Sequence, residues 1–128
     1  MLDAVAECGL QLYKFGKIAS MPKWQKNFDP DSFMEIVKDN QRINSHSLIL
    51  IDIGLELNDA LRELEISSRK HNIGIDKIVV CSALGTEKRK IFYNVIGKIK
   101  DKKIAKPYCI IIPAKLHFVE QEVLETYS

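Results

Sequence analysis

Segments with helical spacing of apolar residues alternate along the chain with short, nearly unbroken apolar runs. Met1–Gly9 is short and amphipathic, with Leu2, Val5 and Ala6 on one helical face and Gly9 suited to a left-handed terminator. Leu10–Ala19 alternates Leu10 and Leu12 with Gln11, Tyr13 and Phe15, which predicts a strand, with Gly16 at a bulge or close backbone approach. Met21–Phe28 reads as a loop holding the only tryptophan, Trp24. Asp29-Pro30-Asp31-Ser32 is a helix start, with Asp29 as cap, Pro30 in the first turn and Asp31 at the positive dipole end. Phe33, Ile36 and Val37 continue that helix to about Arg42.

Leu48–Ile53 (LILIDI) lacks polar alternation before Asp52, as expected of a strand covered on both faces. Leu57, Ala60, Leu61 and Leu64 mark a helix ending near Arg69-Lys70-His71, where positive charge suits the dipole. Lys77–Ala83 predicts a second buried strand, Lys88–Tyr93 a shorter and more exposed one, and Asn94–Lys102 a short helix. Tyr108–Ile112 predicts a third buried strand, closed by Pro113. In the tail, Leu116, Val119, Val123 and Leu124 have the spacing of an amphipathic helix. The expected class is therefore α/β, with an α+β-like mixed sheet and flanking helices, in one domain over residues 1–128.

Composition narrows the function classes. At 46% hydrophobic and 28% charged residues, the chain has enough apolar content for a core and too little net charge, +2, for disorder. The longest apolar runs, Leu48–Ile51 and Cys109–Pro113, are far short of a membrane span, and Met1–Leu10 has no basic region typical of a secretory signal. These features predict a cytoplasmic, non-membrane protein. Cys8, Cys81 and Cys109 are widely spaced and odd in number, which argues for inert core thiols rather than a disulfide framework. His46, His71 and His117 form no metal-ligand pair, so no metal is expected. The six glycines are scattered and form no phosphate-binding loop.

Two features have open readings. Asp52 stands at the carboxyl end of a buried strand, where open α/β sheets bind ligands, but a local cap or ion pair suits it as well. Glu87–Lys106 carries eight basic against two acidic residues, with Phe92 and Tyr93 interleaved. A nucleic-acid-binding surface and a solvated, lysine-protected edge strand both fit that pattern, and the second is preferred because lysine runs carry no base-reading geometry.

GLQLYKFGKIAS (Gly9–Ser20) and PAKLHFVEQEVLE (Pro113–Glu125) are more specific. They resemble two signatures of the diphthine synthases, GLHxYKFGKxxT and PGKLHxVExEYL, in the same order. DPDSFMEIVKDN and LILIDI also resemble their counterparts in that family. The likeness covers nearly the whole chain but only the C-terminal half of the family's length.

The resemblance implies the second half of a tetrapyrrole-methylase-like fold, with an N-terminal half, outside this sequence, bearing a glycine-containing G-D-P loop that helps hold the methionine and ribose parts of the cofactor. It implies an S-adenosylmethionine-dependent methyltransferase of diphthamide biosynthesis, acting on the modified histidine of translation elongation factor two, and a homodimer. Matching by motif, the cofactor contacts fall on Ile51, just before Asp52, on Leu84, just before Gly85, and on Tyr108, just after Pro107. The chain departs from the family at Leu84, where alanine is usual, at Tyr108, where histidine is common, and at Ala114, where the signature has glycine. The alternatives to an enzyme half are a dimerisation or docking module and a basic nucleic-acid-binding domain.

Overall fold

In the computed structural model residues 8–128 are described, so the helix expected over Met1–Gly9 lies outside them apart from its last two residues. Gly9 has φ +81°, the left-handed conformation expected of it. The strand expected over Leu10–Ala19 does not form. Leu12–Lys14 is instead a 3-10 turn, and only Ala19–Met21 pairs as a strand, β1. The reason lies in the Gly16–Lys17 backbone. The Lys17 N–H donates to Asn40 Oδ1 and its carbonyl accepts from Asn40 Nδ2, so a side-chain amide takes the place of a strand partner. Gly16 lies so close to this amide that a Cβ there would collide with Asn40, as the close-approach reading anticipates.

Helix α1 spans Ser32–Arg42, β2 Ser47–Ile51 and α2 Leu57–Lys70. They are followed by β3 (Lys77–Ser82), β4 (Lys90–Val95), the short α3 (Ile96–Ile99), β5 (Tyr108–Ile112) and α4 (Phe118–Glu125). The five strands form one mixed sheet in the order β1-β2-β5-β3-β4, with β1 parallel to β2 and every other neighbour antiparallel. Strands β1, β2 and β3 therefore all point their carboxyl ends to one end of the sheet.

Strand alternation divides the apolar residues between two layers. On one face Ile49, Ile78, Val80, Ile110 and Ile112 meet Phe33, Met34 and Val37 of α1 and Leu57, Ala60, Leu61 and Leu64 of α2. On the other, Leu48, Val79, Cys81, Cys109 and Ile111 meet Cys8, Leu10 and Leu124. Coverage on both sides explains the absence of polar alternation in LILI and YCIII.

Two boundary details differ from the sequence reading. The α1 cap position is Asp31 rather than Asp29, and the Asp31 carboxylate makes no cap bond. It pairs with His71 Nε2 at 3.0 Å and Lys70 Nζ at 3.4 Å, joining the start of α1 to the end of α2. In α4 the inward residues are Glu120 and Leu124, whereas Val119 is exposed. Helix α4 is turned so that the Glu120 carboxylate can reach Lys14 and His46.

Candidate functional site: a cleft at the carboxyl end of the sheet

Strand β2 ends at Ile51, beside the start of β5, because Leu50 pairs with Cys109. Strand β3 ends there too, with Ser82 opposite Tyr108 and the Ala83 N–H donating to the Pro107 carbonyl at 2.9 Å. This convergence leaves a half-open cavity of ≈ 300 Å³ lined by Ile51, Asp52, Ile53, Lys106, Pro107 and Tyr108. Its position, outside the carboxyl ends of strands, is the usual ligand crevice of open α/β sheets. Its volume is at the lower end for a small-molecule site.

The structure brings Ile51 and Tyr108 together on this cavity. Leu84 lies at the same end of the sheet but packs against the opposite layer of the core and does not line the cavity. Ahead of Leu84, Ala83 holds φ +51° and Gly85 φ +80°, so the β3–β4 turn places two of three residues in the left-handed region. Tyr108 is nearly buried and its hydroxyl donates to the Leu55 carbonyl at 2.7 Å. Burial, reinforced by Glu56, Asp59 and Glu63, keeps that phenol protonated well above its ordinary range. Tyr108 thus serves as a fixed wall rather than an acid or base.

Asp52 accepts from the Lys23 N–H at 3.4 Å, and its own N–H donates to the Met21 carbonyl at 3.1 Å. The first contact ties the Pro22–Phe28 loop to the cavity rim, and the second continues the β1–β2 pairing past Ile51. Across the mouth, Lys106 Nζ forms a 2.7 Å ion pair with Glu56 and reaches the Ile53 carbonyl at 3.4 Å. That hydrogen bond and charge hold the Glu56 carboxyl below its ordinary range. Lys106, Ile53 and Glu56 were not singled out in the sequence. Lys106 was hidden in the lysine run, although the Pro107 beside it marked the turn into β5. A second, more polar depression of ≈ 350 Å³ shares Lys106 and Tyr108 and extends towards Asn58 and Asp101.

The basic stretch takes the edge-strand form. Strand β4 is the outer strand of the sheet, Tyr93 is buried with Lys77 Nζ 5.3 Å from its ring, and Lys102 Nζ lies 5.8 Å from the Phe92 ring. The two aromatic rings are used by the protein's own lysines. Among the described residues no cluster of three histidine, cysteine or carboxylate side chains is arranged to hold a metal ion, and no helix is long and apolar enough to cross a membrane.

The two signature segments meet at the other end of the sheet. Lys14 Nζ binds Glu120 Oε1 at 3.1 Å and the Lys115 carbonyl at 3.1 Å, and the Gln11 N–H donates to Glu120 Oε2 at 3.2 Å. His46, fully buried, lies between them, its Nε2 2.9 Å from Glu120 Oε2. Its Nδ1 accepts from the Ala114 N–H, which leaves the proton on Nε2 for the carboxylate. Burial lowers the His46 pKa despite Glu120, so the ring is neutral. Burial alone would raise Glu120. The N–H groups of His117 and Gln11 with His46 and Lys14 overcome it and hold the carboxyl at about 2. Because β2 separates His46 from Ile51 by five residues, this network stands about 16 Å from the cleft. The most recognisable motifs of the chain are thus a buried clamp, and the cleft residues lie in less distinctive sequence.

A mixed five-stranded sheet, covered by helices on both faces and ending in an apolar crevice, defines a mixed α/β protein with a strand-end ligand cleft. The chain is homologous at moderate identity to the diphthine synthases. It is 36% identical over 136 residues to the diphthine synthase of Methanocaldococcus jannaschii, covering 96% of this chain and 53% of that protein. With that of Methanosphaera stadtmanae it shares 36% identity over 133 residues, covering 94% and 50%. It spans about half the length of the curated relatives it matches. No family model matches the chain. A crystal structure of a protein assigned as a diphthine synthase from Entamoeba histolytica superposes with TM-score 0.90 at 25% identity, over 98% of this chain and 56% of the other. A further diphthine synthase crystal structure, at 22% identity and TM-score 0.85, shares the fold over the whole chain and 51% of its own.

Proposed function

We propose that residues 1–128 are the C-terminal half of a longer cytoplasmic methyltransferase of the diphthine synthase type. In this reading it uses S-adenosylmethionine to methylate the modified histidine of translation elongation factor two in diphthamide biosynthesis. The observation that carries the proposal is the homology, which spans almost the whole chain and only half of each relative. The cleft supports it, because it is an apolar half-crevice open on one side.

The cavity fits one end of a nucleoside cofactor. Ile51, Pro107 and Tyr108 give it apolar walls, and ≈ 300 Å³ accepts a purine ring more readily than a whole cofactor. Ile51 and Tyr108 would hold the adenosyl part directly, with Leu84 acting from the adjoining turn. When bound, S-adenosylmethionine supplies a methyl group on a positively charged sulfur, already activated towards a nucleophile. The residues of this chain then have to orient the cofactor and exclude water. Lys106 and Glu56 fix the mouth of the cleft for that purpose.

The whole protein is expected to be a homodimer. Tyr13 and Phe118, 78% and 72% exposed and close in sequence to Lys14 and Glu120 of the clamp, are candidate apolar contacts for it or for the upstream half. The nucleic-acid alternative is weakened by the lysines over Phe92 and Tyr93.

The test is transfer of an isotopically labelled methyl group to elongation factor two carrying the unmethylated histidine derivative, by the protein as its gene encodes it. Methylation is expected, and Ile51→Asp should raise the cofactor KM by about tenfold or more by placing a charge in the apolar wall. A correctly folded full-length protein that leaves the acceptor unlabelled contradicts the reading.

A further inference from the structure

Cys8, Cys81 and Cys109 are 73 and 28 positions apart in successive steps along the sequence, yet all three thiols are buried in the same layer. Cys81 and Cys109 face each other across the β3–β5 ladder. The Cys8 sulfur reaches the same spot from outside the sheet and lies 3.1 Å from Cys81 Sγ. We propose that Cys8 and Cys81 form a redox-modification site, a dithiol that closes to a disulfide when a peroxide reaches it, with Cys109 left as a thiol.

The asymmetry of the three positions carries the assignment. Cys81 and Cys109 sit in central strands, each paired on both sides, and separate only if the sheet opens. Cys8 belongs to the described residues 8–11 before the Leu12–Lys14 turn, which add to no strand and pack through Cys8 and Leu10. Such a segment opens at lower free energy than ladder strands, exposing its own thiol and the one beneath it. Gly9, next to Cys8, is in the left-handed region, and Val123 fills the space that a Cβ there would need.

The chemistry balances with hydrogen peroxide as oxidant. In the open state the Cys8 thiolate attacks one peroxide oxygen. The O–O bond breaks, leaving Cys8 as a sulfenic acid and releasing hydroxide, which takes the proton given up by the thiol and leaves as water. On closure Cys81 sulfur attacks the Cys8 sulfur, the S–S bond forms and the S–O bond breaks. The departing hydroxide takes the Cys81 proton and leaves as a second water. Two thiols lose two electrons and one peroxide gains them. Hydrogen bonding to Cys109 and Cys8, with burial, holds Cys81 protonated, and Cys8, on the segment outside the ladder, is the thiol that a peroxide meets first.

The test treats the protein as its gene encodes it with hydrogen peroxide, blocks remaining thiols with iodoacetamide and maps the peptides by mass spectrometry. The expected result is a Cys8–Cys81 cross-linked pair, 2 Da lighter than the two thiol peptides, with Cys109 alkylated. The same link should form in Cys109→Ser. In Cys81→Ser, dimedone should trap a sulfenic acid on Cys8. Closing a loop of that length should also raise Tm by about 5–15 °C, reversed by dithiothreitol. A Cys81–Cys109 link as the main product, oxidation of Cys8 to sulfinic acid without a link, or full alkylation of all three thiols after treatment would each overturn the proposal.

Discussion

Glu63 and Glu120 are both fully buried glutamates on the inward side of a helix, and their surroundings drive them in opposite directions. Neither oxygen of Glu63 makes a hydrogen bond of normal geometry. Burial pushes its carboxyl up to about 7, against a weaker pull from the Trp24 backbone and Arg62. The unfolded chain releases this proton near pH 4.5 and the folded chain near 7, so the unfolded state gains relative to the folded one as pH rises through that window. Glu63→Gln should remove that loss, making the protein about 1–2 kcal/mol more stable than wild type at pH 8 and no more stable at pH 4. Urea midpoints at the two pH values check it.

Glu120 has the reverse sign. Its stabilisation is complete above pH 4.5 and disappears as pH falls towards about 2. Glu120→Ala leaves Lys14 and His46 without their partner and should cost about 3–5 kcal/mol, part of which Lys14→Met should recover in the double variant. Non-coupled losses in a denaturation series would show that the three residues do not act as one network. Both glutamates had a signal in the sequence. Glu63 continues the Leu57, Ala60 spacing by three, and Glu120 lies midway between Leu116 and Leu124 at steps of four. The partners of Glu120, 106 and 74 positions away, are not readable from local pattern.

At the scale of elements, the buried strands β2, β3 and β5 and the helices α1 and α2 fall within a residue or two of where periodicity puts them. Their residues bury on both faces or on one clear stripe, and local pattern is enough. In the N-terminal segment Leu10, Leu12 and the intervening polar residues alternate as a strand would, but the backbone makes one isolated bridge, Phe15 to His46, and then turns to the Asn40 amide. This substitution depends on the absence of a side chain at Gly16. Gly16→Ala should displace Asn40, break both its bonds to Lys17 and lower stability by about 1–3 kcal/mol. A midpoint unchanged from wild type would mean that the Gly16–Asn40 approach does not position this segment.

Across the whole molecule, the signature segments and the cleft stand at opposite ends of one sheet. The signatures are legible because a buried lysine–glutamate–histidine clamp restricts every residue that touches it. The cleft was legible only in part. Ile51, Leu84 and Tyr108 come from motif resemblance; Ile51 ends β2 and Tyr108 begins β5, and the structure sets these two on one cavity. Leu84 lies across the sheet from them. Lys106 and Glu56 meet only through the fold, 50 positions apart.

In the proposed function this chain forms one wall of a cofactor cleft and an upstream half forms the other. Calorimetric titration with S-adenosylmethionine, of the 128-residue chain alone and again with the upstream half supplied in cis or in trans, tests this most directly. The isolated chain, with only the crevice at Ile51 and Tyr108, should bind no tighter than ~0.1–1 mM, because the ligand stays wet on one side. Adding the upstream half should bring binding into the micromolar range, a gain of about 2–4 kcal/mol. Micromolar binding by the chain alone, or no gain on adding the upstream half, would contradict it.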